Sequence, residues 1–351
     1  MKQAPTKGPL SGVRILEVGT MLAGPYATML LADLGAQVIK IEPPGGEISR
    51  QVGDSYFASL NRNKRSVCLD LASEAGQQRL GELVAESDAL LVNMKPSVIR
   101  RFGLTYEALC KHNEKIVCVA LTGYGLHGGD DPAFDYVIQA ATGVAAMTGD
   151  PDGPPTLPGY SAADNSTGLT AALGLLAKIV SGQGGQVDVC LRDVMLSQLN
   201  YRAAAYLNDG AEPKRYPFGA HSYYVPAQLF PTAEGHLALF ITHDGFWRSF
   251  AGEAGIPGFE TMVERAAARE EVLALVSAAL ASDTAVNWEI RLKPLGIPAA
   301  AVRSLPEALE DTPEMVVTAG DFRLVASPIR VEGFKPEYRP APVFDAVPQS
   351  S

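Results

Sequence analysis

The stretch LSGVRILEVGTMLAGPYATMLLADLGAQVIKIEPP, residues 10–44, decides the fold class of this 351-residue chain. VRILEVG (13–19) is typical of a buried strand, and AQVIKIE (36–42) has the same apolar, β-branched character before two prolines halt it. Between them, GPYATMLLADLG (24–35) predicts a helix that begins at its proline and ends at its last glycine. A strand, a helix and a second strand in this order predict a βαβ unit with parallel strands.

The same alternation continues to residue 125 and predicts the rest of a large α/β domain. Further strands are expected at SVCLDL (66–71), ALLVNM (89–94) and KIVCVALTGYG (115–125). Helices are expected at about 73–86 and near 106–112. This rhythm predicts a Rossmann-like domain with a mostly parallel sheet and helices on both faces. The turn GTMLAG after the first strand lacks GxGxxG spacing, which disfavours a nicotinamide-dependent enzyme.

A loop rich in proline and glycine, GDPDGPPTLPGYSA (149–162), interrupts this pattern. The segment after Asp164 is apolar on all sides and predicts a buried helix. QVDVCL (186–191) predicts another strand, and 192–208 predicts another helix.

Two irregular segments predict linkers, at 208–226 and at 303–315. Between them we expect a smaller α+β domain with a hairpin around Glu234-Gly235, an amphipathic helix at 269–282 and a final element at 288–302. We therefore divide the chain into the first part of the large domain (1–207), a linker and small domain (208–302), and a second linker that returns to the large domain (303–351).

Composition and charge narrow the classes of function. With 47% apolar residues the chain can bury a sizeable core, and its net charge of −10 disfavours general nucleic-acid binding. The polar N-terminus and the lack of a long apolar run predict a protein outside the membrane. The five histidines lack metal-binding spacings. The cysteines lack CxxC pairs and predict reduced thiols in a cytoplasmic protein: Cys68, Cys110, Cys118 and Cys190.

Asp164 lies at the junction between the proline-rich loop and the long helix. An Asp at such a junction usually caps the helix by accepting hydrogen bonds from the first free amides. A helix N-terminus also favours negative charge, which suits a carboxylate nucleophile and the oxyanion that it forms. Gly168, one turn later, would leave room for a ligand to approach closely. The spacing alone permits both interpretations.

Six stretches, in order along the chain, resemble the family III CoA-transferases from about Leu10 onward. They are the opening stretch extended to GGEISR, LNRNKRSVCLDL, VNMKPSVIRRFGL, AFDYVIQAATG, SAADNSTGLTAALGLLA and GQGGQVDVCLRDVM. In that family the Asp of the stretch matching ADNSTG is the nucleophile, so the resemblance implies this role for Asp164. Through an anhydride and then a thioester on Asp164, coenzyme A would pass from an acyl-CoA to a carboxylic acid, with no permanently bound cofactor.

The resemblance also implies residues that contact the substrates. Those implied for CoA are the loop of Ala23, Gly24 and Pro25, together with Lys64, Asn93, Met94 and Arg101; Arg50, Lys95 and Arg100 are weaker candidates. Phe134 and Asp135 are implied to line the acyl side. As alternatives, Lys64 and Arg101 could be ordinary solvated charges and Phe134 could belong to a helix core.

The chain departs from the family pattern at several positions. Pro43 stands where some members have an arginine, Lys95 replaces an arginine, and Ser97 replaces a glycine. FGAHSYYVPA occupies the region of the glycine-only loop that covers the active site of formyl-CoA transferases. The donor and acceptor acids therefore stay open, with a short mono- or dicarboxylate as the expectation.

Two other functions are also open. The 2-methylacyl-CoA racemases share the implied fold and an Asp at the position of Asp164, but they use a His as a second base. Phe134 occupies the position of that His and cannot carry a proton, so His127 or His221 would have to replace it. The third interpretation is a CoA-binding protein without turnover, in which Asp164→Asn would change no measured property.

The resemblance finally implies partners. They are acyl-CoA and small carboxylic acids, with no nucleic acid and no membrane. It also implies an interlocked homodimer with the active site at the subunit interface.

Overall fold

The computed structural model of the protein describes residues 8–344, which form two compact units. The first unit holds 8–142, 159–203 and 312–344, and the second unit holds 143–158 and 204–311. The sequence-based division into 1–207, 208–302 and 303–351 differs most at 143–158, which belongs to the second unit. The outermost parts of that division, 1–7 and 345–351, lie outside the described residues.

The described residues contain eleven strands and sixteen α-helices. The strands are β1 (Arg14–Val18), β2 (Gln37–Glu42), β3 (Arg65–Cys68), β4 (Ala89–Asn93), β5 (Val117–Thr122), β6 (Gly185–Cys190), β7 (Ala227–Pro231), β8 (His236–Phe240), β9 (Ala299–Ala301), β10 (Val316–Ala319) and β11 (Phe322–Val325). The helices are α1 (Ala23–Asp33), α2 (Ser49–Val52), α3 (Asp54–Asn61), α4 (Glu74–Ala85), α5 (Pro96–Arg101), α6 (Tyr106–Leu109), α7 (Asp135–Ala141), α8 (Val144–Met147), α9 (Ala162–Val180), α10 (Leu191–Gln198), α11 (Asn200–Asp209), α12 (Asp244–Ala254), α13 (Met262–Ala267), α14 (Arg269–Leu280), α15 (Ala285–Leu292) and α16 (Leu305–Asp311).

Six parallel strands form the sheet of the first unit, in the order β3-β2-β1-β4-β5-β6. The prediction of an α/β fold with a parallel sheet is confirmed. The strand order reverses between β1 and β4, which pair in parallel so that Val18 lies opposite Val92. The carboxyl ends of these two strands therefore lie side by side. In open sheets of this kind, ligands bind in the crevice at that point.

The central strands are near-continuous apolar runs because both faces of the sheet are covered. Ile15 and Leu16 of β1 and Leu90 and Leu91 of β4 have no exposed surface. Helix α1 follows β1 and ends just before Gly35, whose φ of +100° is the left-handed conformation that glycine adopts readily at helix ends.

Two of the predicted helices differ in extent from the observed ones. The helix expected over 106–112 ends at Leu109. The helix expected over 192–208 is divided into α10 and α11. At the break, the side chain of Asn200 accepts the N–H of Tyr201 and so competes with the backbone hydrogen bonds of a continuous helix.

The apolar sequence of α9 predicted a helix that is buried on all sides, but one side of α9 is exposed in the structure. Thr167, Ala171 and Leu175 are buried, whereas Leu169 and Leu173 are 49% and 68% exposed. The helix thus leaves an apolar stripe uncovered in the single chain.

The segment 303–315, expected to be a linker, contains helix α16. Ser304 and Glu307 form reciprocal hydrogen bonds at its start, in which each side chain accepts the backbone N–H of the other residue. This Ser-x-x-Glu spacing is a capping box, which the sequence contained and the prediction overlooked.

The C-terminal part of the first unit is fastened to the end of α1. The buried Arg62 guanidinium contacts the Asp33 carboxylate at 2.7 Å and donates to the carbonyl oxygen of Val325 at 2.8 Å. The side-chain oxygen of Asn63 accepts the N–H of Arg339 at 2.8 Å. The antiparallel hairpin of β10 and β11 belongs to the same C-terminal part.

The second unit contains a small antiparallel sheet of β7, β8 and β9. The hairpin predicted around Glu234-Gly235 joins β7 to β8, and the amphipathic helix predicted at 269–282 is α14. Trp247 and Trp288 fill the core, and each indole N–H donates to a backbone carbonyl oxygen. The unit therefore has its own hydrophobic core with satisfied polar groups.

Candidate active site

The connection between β1 and α1 (19–22) and the first residues of α1 (23–25), together called the loop 19–25, lie where the strand order reverses. The side chain of Asn93, at the end of β4, accepts the N–H of Thr20 at 2.9 Å and donates to the carbonyl oxygen of Thr20 at 2.9 Å. Gly24 lies so close to this side chain that a Cβ there would be 2.6 Å from Asn93 Oδ1. Asn93 thus supports the loop through its own amide, and α1 can begin here only with a glycine at this position.

Three buried charged side chains, Glu17, Lys40 and Lys64, support the loop at its two ends. Glu17 contacts both ammonium groups at 2.7 Å. Lys40 also donates to the carbonyl oxygen of Gly19 at 2.9 Å, and Lys64 donates to that of Pro25 at 2.8 Å. Burial alone would raise the pKa of Glu17, but the two ammonium groups outweigh burial and lower this pKa to about 2.

Lys64 has a different position from the one expected. Its side chain has no exposed surface, so the interpretation as a solvated charge is wrong. Its ammonium group binds Glu17, Pro25 and the side-chain oxygen of Asn61, which uses its three donors within the protein. Burial lowers the pKa of Lys64 to about 8. All three donors of the Lys64 ammonium group are therefore engaged within the protein, at the end of the loop.

Asp164 is the third residue of α9, so the prediction that it caps the helix is wrong. Its backbone N–H donates to Asp135 Oδ1 at 3.0 Å. No donor among residues 8–344 bonds to the Asp164 carboxylate. Burial, and after it the charge of Asp135, raise the pKa of Asp164 to about 6. A carboxylate that lacks both hydrogen bonds and a nearby cation is poorly stabilised in its charged form, and it is correspondingly reactive toward a carbonyl carbon.

Asp135 begins α7 and is buried beside Asp164. Its Oδ2 accepts a hydrogen bond from Nε2 of Gln139, whose own Oε1 is a buried atom without a partner among the described residues. Phe134, the preceding residue, is 70% exposed, so its alternative interpretation as helix core is wrong. The structure brings Asp135 to Asp164 and leaves Phe134 at the surface next to Asp135.

Gly168 fits α9 against the start of α1. A Cβ at this position would lie 2.7 Å from the carbonyl oxygen of Ala23 and 3.2 Å from the ring of Tyr26. We expected Gly168 to leave room for a ligand, but α1 occupies that space in the structure. As a result, the helix that carries Asp164 packs directly against the loop 19–25.

Sequence reasoning missed Tyr56, on which Asp164 acts, and Glu47, which supports the loop. Burial first, and then the charges of Asp164 and Glu47, raise the pKa of the Tyr56 phenol, so both carboxylates act on this hydroxyl. Glu47 is 2% exposed, and its Oε2 accepts the N–H of Met21 at 3.2 Å. Glu47 lies in the irregular segment after β2, where no periodicity marks which side chain points inward.

Three exposed cations follow β4. Lys95 precedes α5, and Nη1 of Arg100 donates to the carbonyl oxygen of Leu126 at 2.8 Å. The Arg101 guanidinium lies 4.5 Å from the ring centre of Phe102. These side chains keep charge at the surface close in sequence to Asn93, which is compatible with the predicted phosphate contacts.

The other two candidates near the loop are engaged within the protein. Arg50 binds the Glu42 carboxylate at 2.7 Å and lies 3.8 Å from the ring centre of Phe57. Met94 is half-buried and packs against the apolar core of the sheet.

The two histidines named as substitute bases have different surroundings. His127 is exposed, and His221 belongs to the second unit, where its Nδ1 accepts the N–H groups of Tyr223 and Tyr224.

Within 8–344, no group of three or more His, Cys, Asp or Glu side chains could hold a metal ion. Cys110, Cys118 and Cys190 are free thiols. Over the same range, every helix is too short or too polar to cross a membrane.

Comparisons with known proteins agree on one family. The model of a family described as CoA-transferase family III matches residues 10–345. The chain is 32% identical to succinate–glutarate CoA-transferase of Agrobacterium fabrum, over 87% of this chain and 82% of that protein. It is also 32% identical to acetyl-CoA:oxalate CoA-transferase of Acetobacter aceti, over 97% and 94% of the two chains. A crystal structure of a CAIB/BAIF family protein from Brucella suis matches with a TM-score of 0.83 and 28% identity, over 95% of this chain and 96% of that one.

Proposed function

This chain belongs to CoA-transferase family III, and we propose from that premise that it transfers coenzyme A from an acyl-CoA to a free carboxylic acid through covalent intermediates on Asp164. The observation that carries the proposal is the state of Asp164. Its side chain is half-buried, its carboxylate receives no hydrogen bond from the described residues, and its pKa is raised to about 6 by burial and by Asp135. It is therefore ionised at neutral pH and more basic than an ordinary aspartate.

The proposed reaction is a sequence of acyl exchanges. A carboxylate oxygen of Asp164 attacks the thioester carbonyl carbon, and the CoA thiolate leaves, which produces an acyl-aspartyl anhydride. The thiolate then attacks the aspartyl carbonyl carbon and expels the donor acid as its carboxylate, which produces an aspartyl-CoA thioester. An acceptor carboxylate reverses these two steps and restores the ionised Asp164. Each step exchanges one acyl bond for another, so the cycle balances without oxidant, reductant or ATP.

The contacts around Asp164 support a division of roles. We propose that the loop of Ala23, Gly24 and Pro25 binds CoA together with Asn93 and Met94. Arg101 would contact its phosphates, with Lys95 and Arg100 as weaker contributors and Arg50 held back by its ion pair with Glu42. Lys64 would act indirectly, by fixing the carbonyl oxygen of Pro25.

The acyl side would be formed by Phe134 and Asp135. The exposed Phe134 ring supplies apolar surface next to Asp135, which receives the backbone N–H of Asp164. A phenyl ring cannot donate or accept a proton, so Phe134 cannot supply the second acid–base group that racemisation needs, and this favours acyl transfer.

We further propose a homodimer, with the uncovered apolar stripe of Leu169 and Leu173 as one part of the surface between subunits. We expect the protein to work in the cytoplasm, where the thiols of Cys110, Cys118 and Cys190 would stay reduced. The relatives' names pair short dicarboxylates or oxalate with CoA, so succinate, glutarate and oxalate are the first acceptors to test.

The test is an exchange assay in deuterated buffer. The protein is incubated with a panel of acyl-CoA esters and free acids, and the products are followed by mass spectrometry. We expect CoA on the second acid with the wild type and none with Asp164→Asn, while the exposed Asp152→Asn serves as the active control. With acyl-CoA alone, hydroxylamine should convert Asp164 to a hydroxamate. Deuterium at the α-carbon without CoA exchange would instead identify a racemase.

A further inference from the structure

Side chains from separate parts of the first unit hold the backbone of the loop 19–25. The contacts are Lys40 with Gly19, Asn93 with Thr20, Glu47 with Met21 and Lys64 with Pro25. All four of these side chains are buried or half-buried. The loop is thus shaped by the protein itself, which is the property expected of a pre-organised binding element.

Glu47 is fixed more tightly than a surface carboxylate could be. Its Oε2 accepts the N–H groups of Met21 and Ser49 at 3.2 and 3.3 Å, and its Oε1 accepts the Ser49 hydroxyl. Oε1 also lies 3.8 Å from the ammonium group of Lys40. The backbone N–H of Glu47 donates to Glu42 Oε2 at 3.1 Å, which fixes the turn that carries the side chain.

Met21 has the backbone conformation that most needs this support. Its φ is +60°, in the left-handed region that a residue with a Cβ seldom occupies. Met21 lies two residues before α1, so its conformation sets the path by which the loop enters that helix. The hydrogen bond to Glu47 offsets the intrinsic preference of Met21 for other conformations.

We propose that Glu47 is a positioning residue for CoA binding, which keeps Met21 left-handed and thereby holds the loop 19–25 in its binding conformation in the free protein. The inference rests on the proposed function, which assigns the last three residues of this loop, Ala23, Gly24 and Pro25, to CoA. A loop that is competent for only a fraction of the time binds its ligand more weakly by that fraction. Removing the Glu47 contact should therefore weaken CoA binding by about 10-fold. The turnover number at saturating acyl-CoA should change much less.

The first experiment compares two substitutions at position 47. The dissociation constant of CoA is measured by calorimetry, and KM and kcat by the exchange assay. In Glu47→Gln, the amide oxygen can replace Oε2 as acceptor for Met21 and Ser49, and the amide NH₂ can donate to the Ser49 hydroxyl. We expect Glu47→Gln to bind CoA within about 3-fold of the wild type, and Glu47→Ala to bind about 10-fold more weakly.

A second substitution separates positioning from a general structural effect. Glycine adopts positive φ as readily as negative φ, so adding Met21→Gly to Glu47→Ala should restore most of the lost CoA affinity. The single variant Met21→Gly measures what the loss of the Met21 side chain itself does to the affinity. Asp33→Asn is the matched control, because it weakens a buried ion pair with Arg62 at the other end of α1. It should lower the melting temperature and leave the CoA affinity unchanged.

The possible results lead to different conclusions. Equal affinities of the wild type and Glu47→Ala, a failure of Met21→Gly to restore binding, or an equal loss in Asp33→Asn would each overturn this inference alone. Absence of CoA binding by the wild-type protein would overturn the proposed function and this inference together. The expected order, with restoration by glycine, would establish Glu47 as a positioning residue.

Discussion

Replacing Asp164 by asparagine should stabilise the protein at neutral pH while it abolishes CoA transfer. The folded-state pKa of this carboxyl is about 6, compared with 3.8 for an ordinary aspartate. Below the lower value the group is protonated in the folded and unfolded states, so it contributes no pH dependence. As the pH rises from there, the unfolded chain ionises first and folding becomes less favourable, until the full cost is reached above the folded-state pKa.

The interval between 3.8 and about 6 corresponds to about 3 kcal/mol of unfolding free energy, and because Asp164 is partly exposed we expect about 1–3 kcal/mol. Asparagine has a similar volume, and the carboxylate loses no hydrogen bond in the exchange. Urea denaturation at intervals from about pH 4 to about pH 8 should show a gain that grows with pH, whereas Asp152→Asn should show none. A variant that is less stable than the wild type, or equally shifted at every pH, would refute this reasoning.

Three further predictions follow from the same contacts. Asp135→Asn should move the acid limb of the kcat/KM profile to lower pH, because after burial the charge of Asp135 is the second cause of the raised pKa of Asp164; an unmoved limb would contradict this. Gly168→Ala should cost about 1–3 kcal/mol of unfolding free energy and reduce turnover, since its Cβ would lie 2.7 Å from a carbonyl oxygen of α1; unchanged urea midpoints would contradict it. Asp33→Ala should cost about 3–5 kcal/mol because the buried Arg62 loses its partner, and urea denaturation beside the milder Asp33→Asn tests this.

The parallel sheet could be predicted because its strands are buried on both faces. Such strands are continuous apolar runs, so VRILEVG and KIVCVALTGYG could be predicted as strands from their own residues, without knowing which strands pair with them. The break at Asn200 and the helix α16 depended instead on single side chains that bond to nearby backbone groups. Periodicity is insensitive to such local contacts, although the capping box of α16 was readable as a motif.

Residues of the candidate site could be predicted where they lie in stretches that resemble the family. Residues whose contacts come from distant parts of the chain were harder to predict. Lys64 looks like a surface cation in NRNKRS, but Glu17 and Pro25, about forty residues away, enclose its ammonium group. Gly168 looked like room for a ligand until α1 was found to occupy that room. Glu47 had no pattern of its own, because its role depends on Met21 in another loop.

Two carboxylates of the first unit have opposite electrostatic environments, and the contrast fits the roles proposed for them. Glu17 is held by two ammonium groups that lower its pKa to about 2, so it stays charged and inert as the anchor of the loop. Asp164 has no cation among the causes that set its pKa, and burial together with Asp135 raises that pKa to about 6. The ammonium groups of Lys40 and Lys64 both contact Glu17. Asp164, which has only burial and a second carboxylate beside it, is destabilised in its charged form, and this favours its proposed attack on a thioester carbonyl.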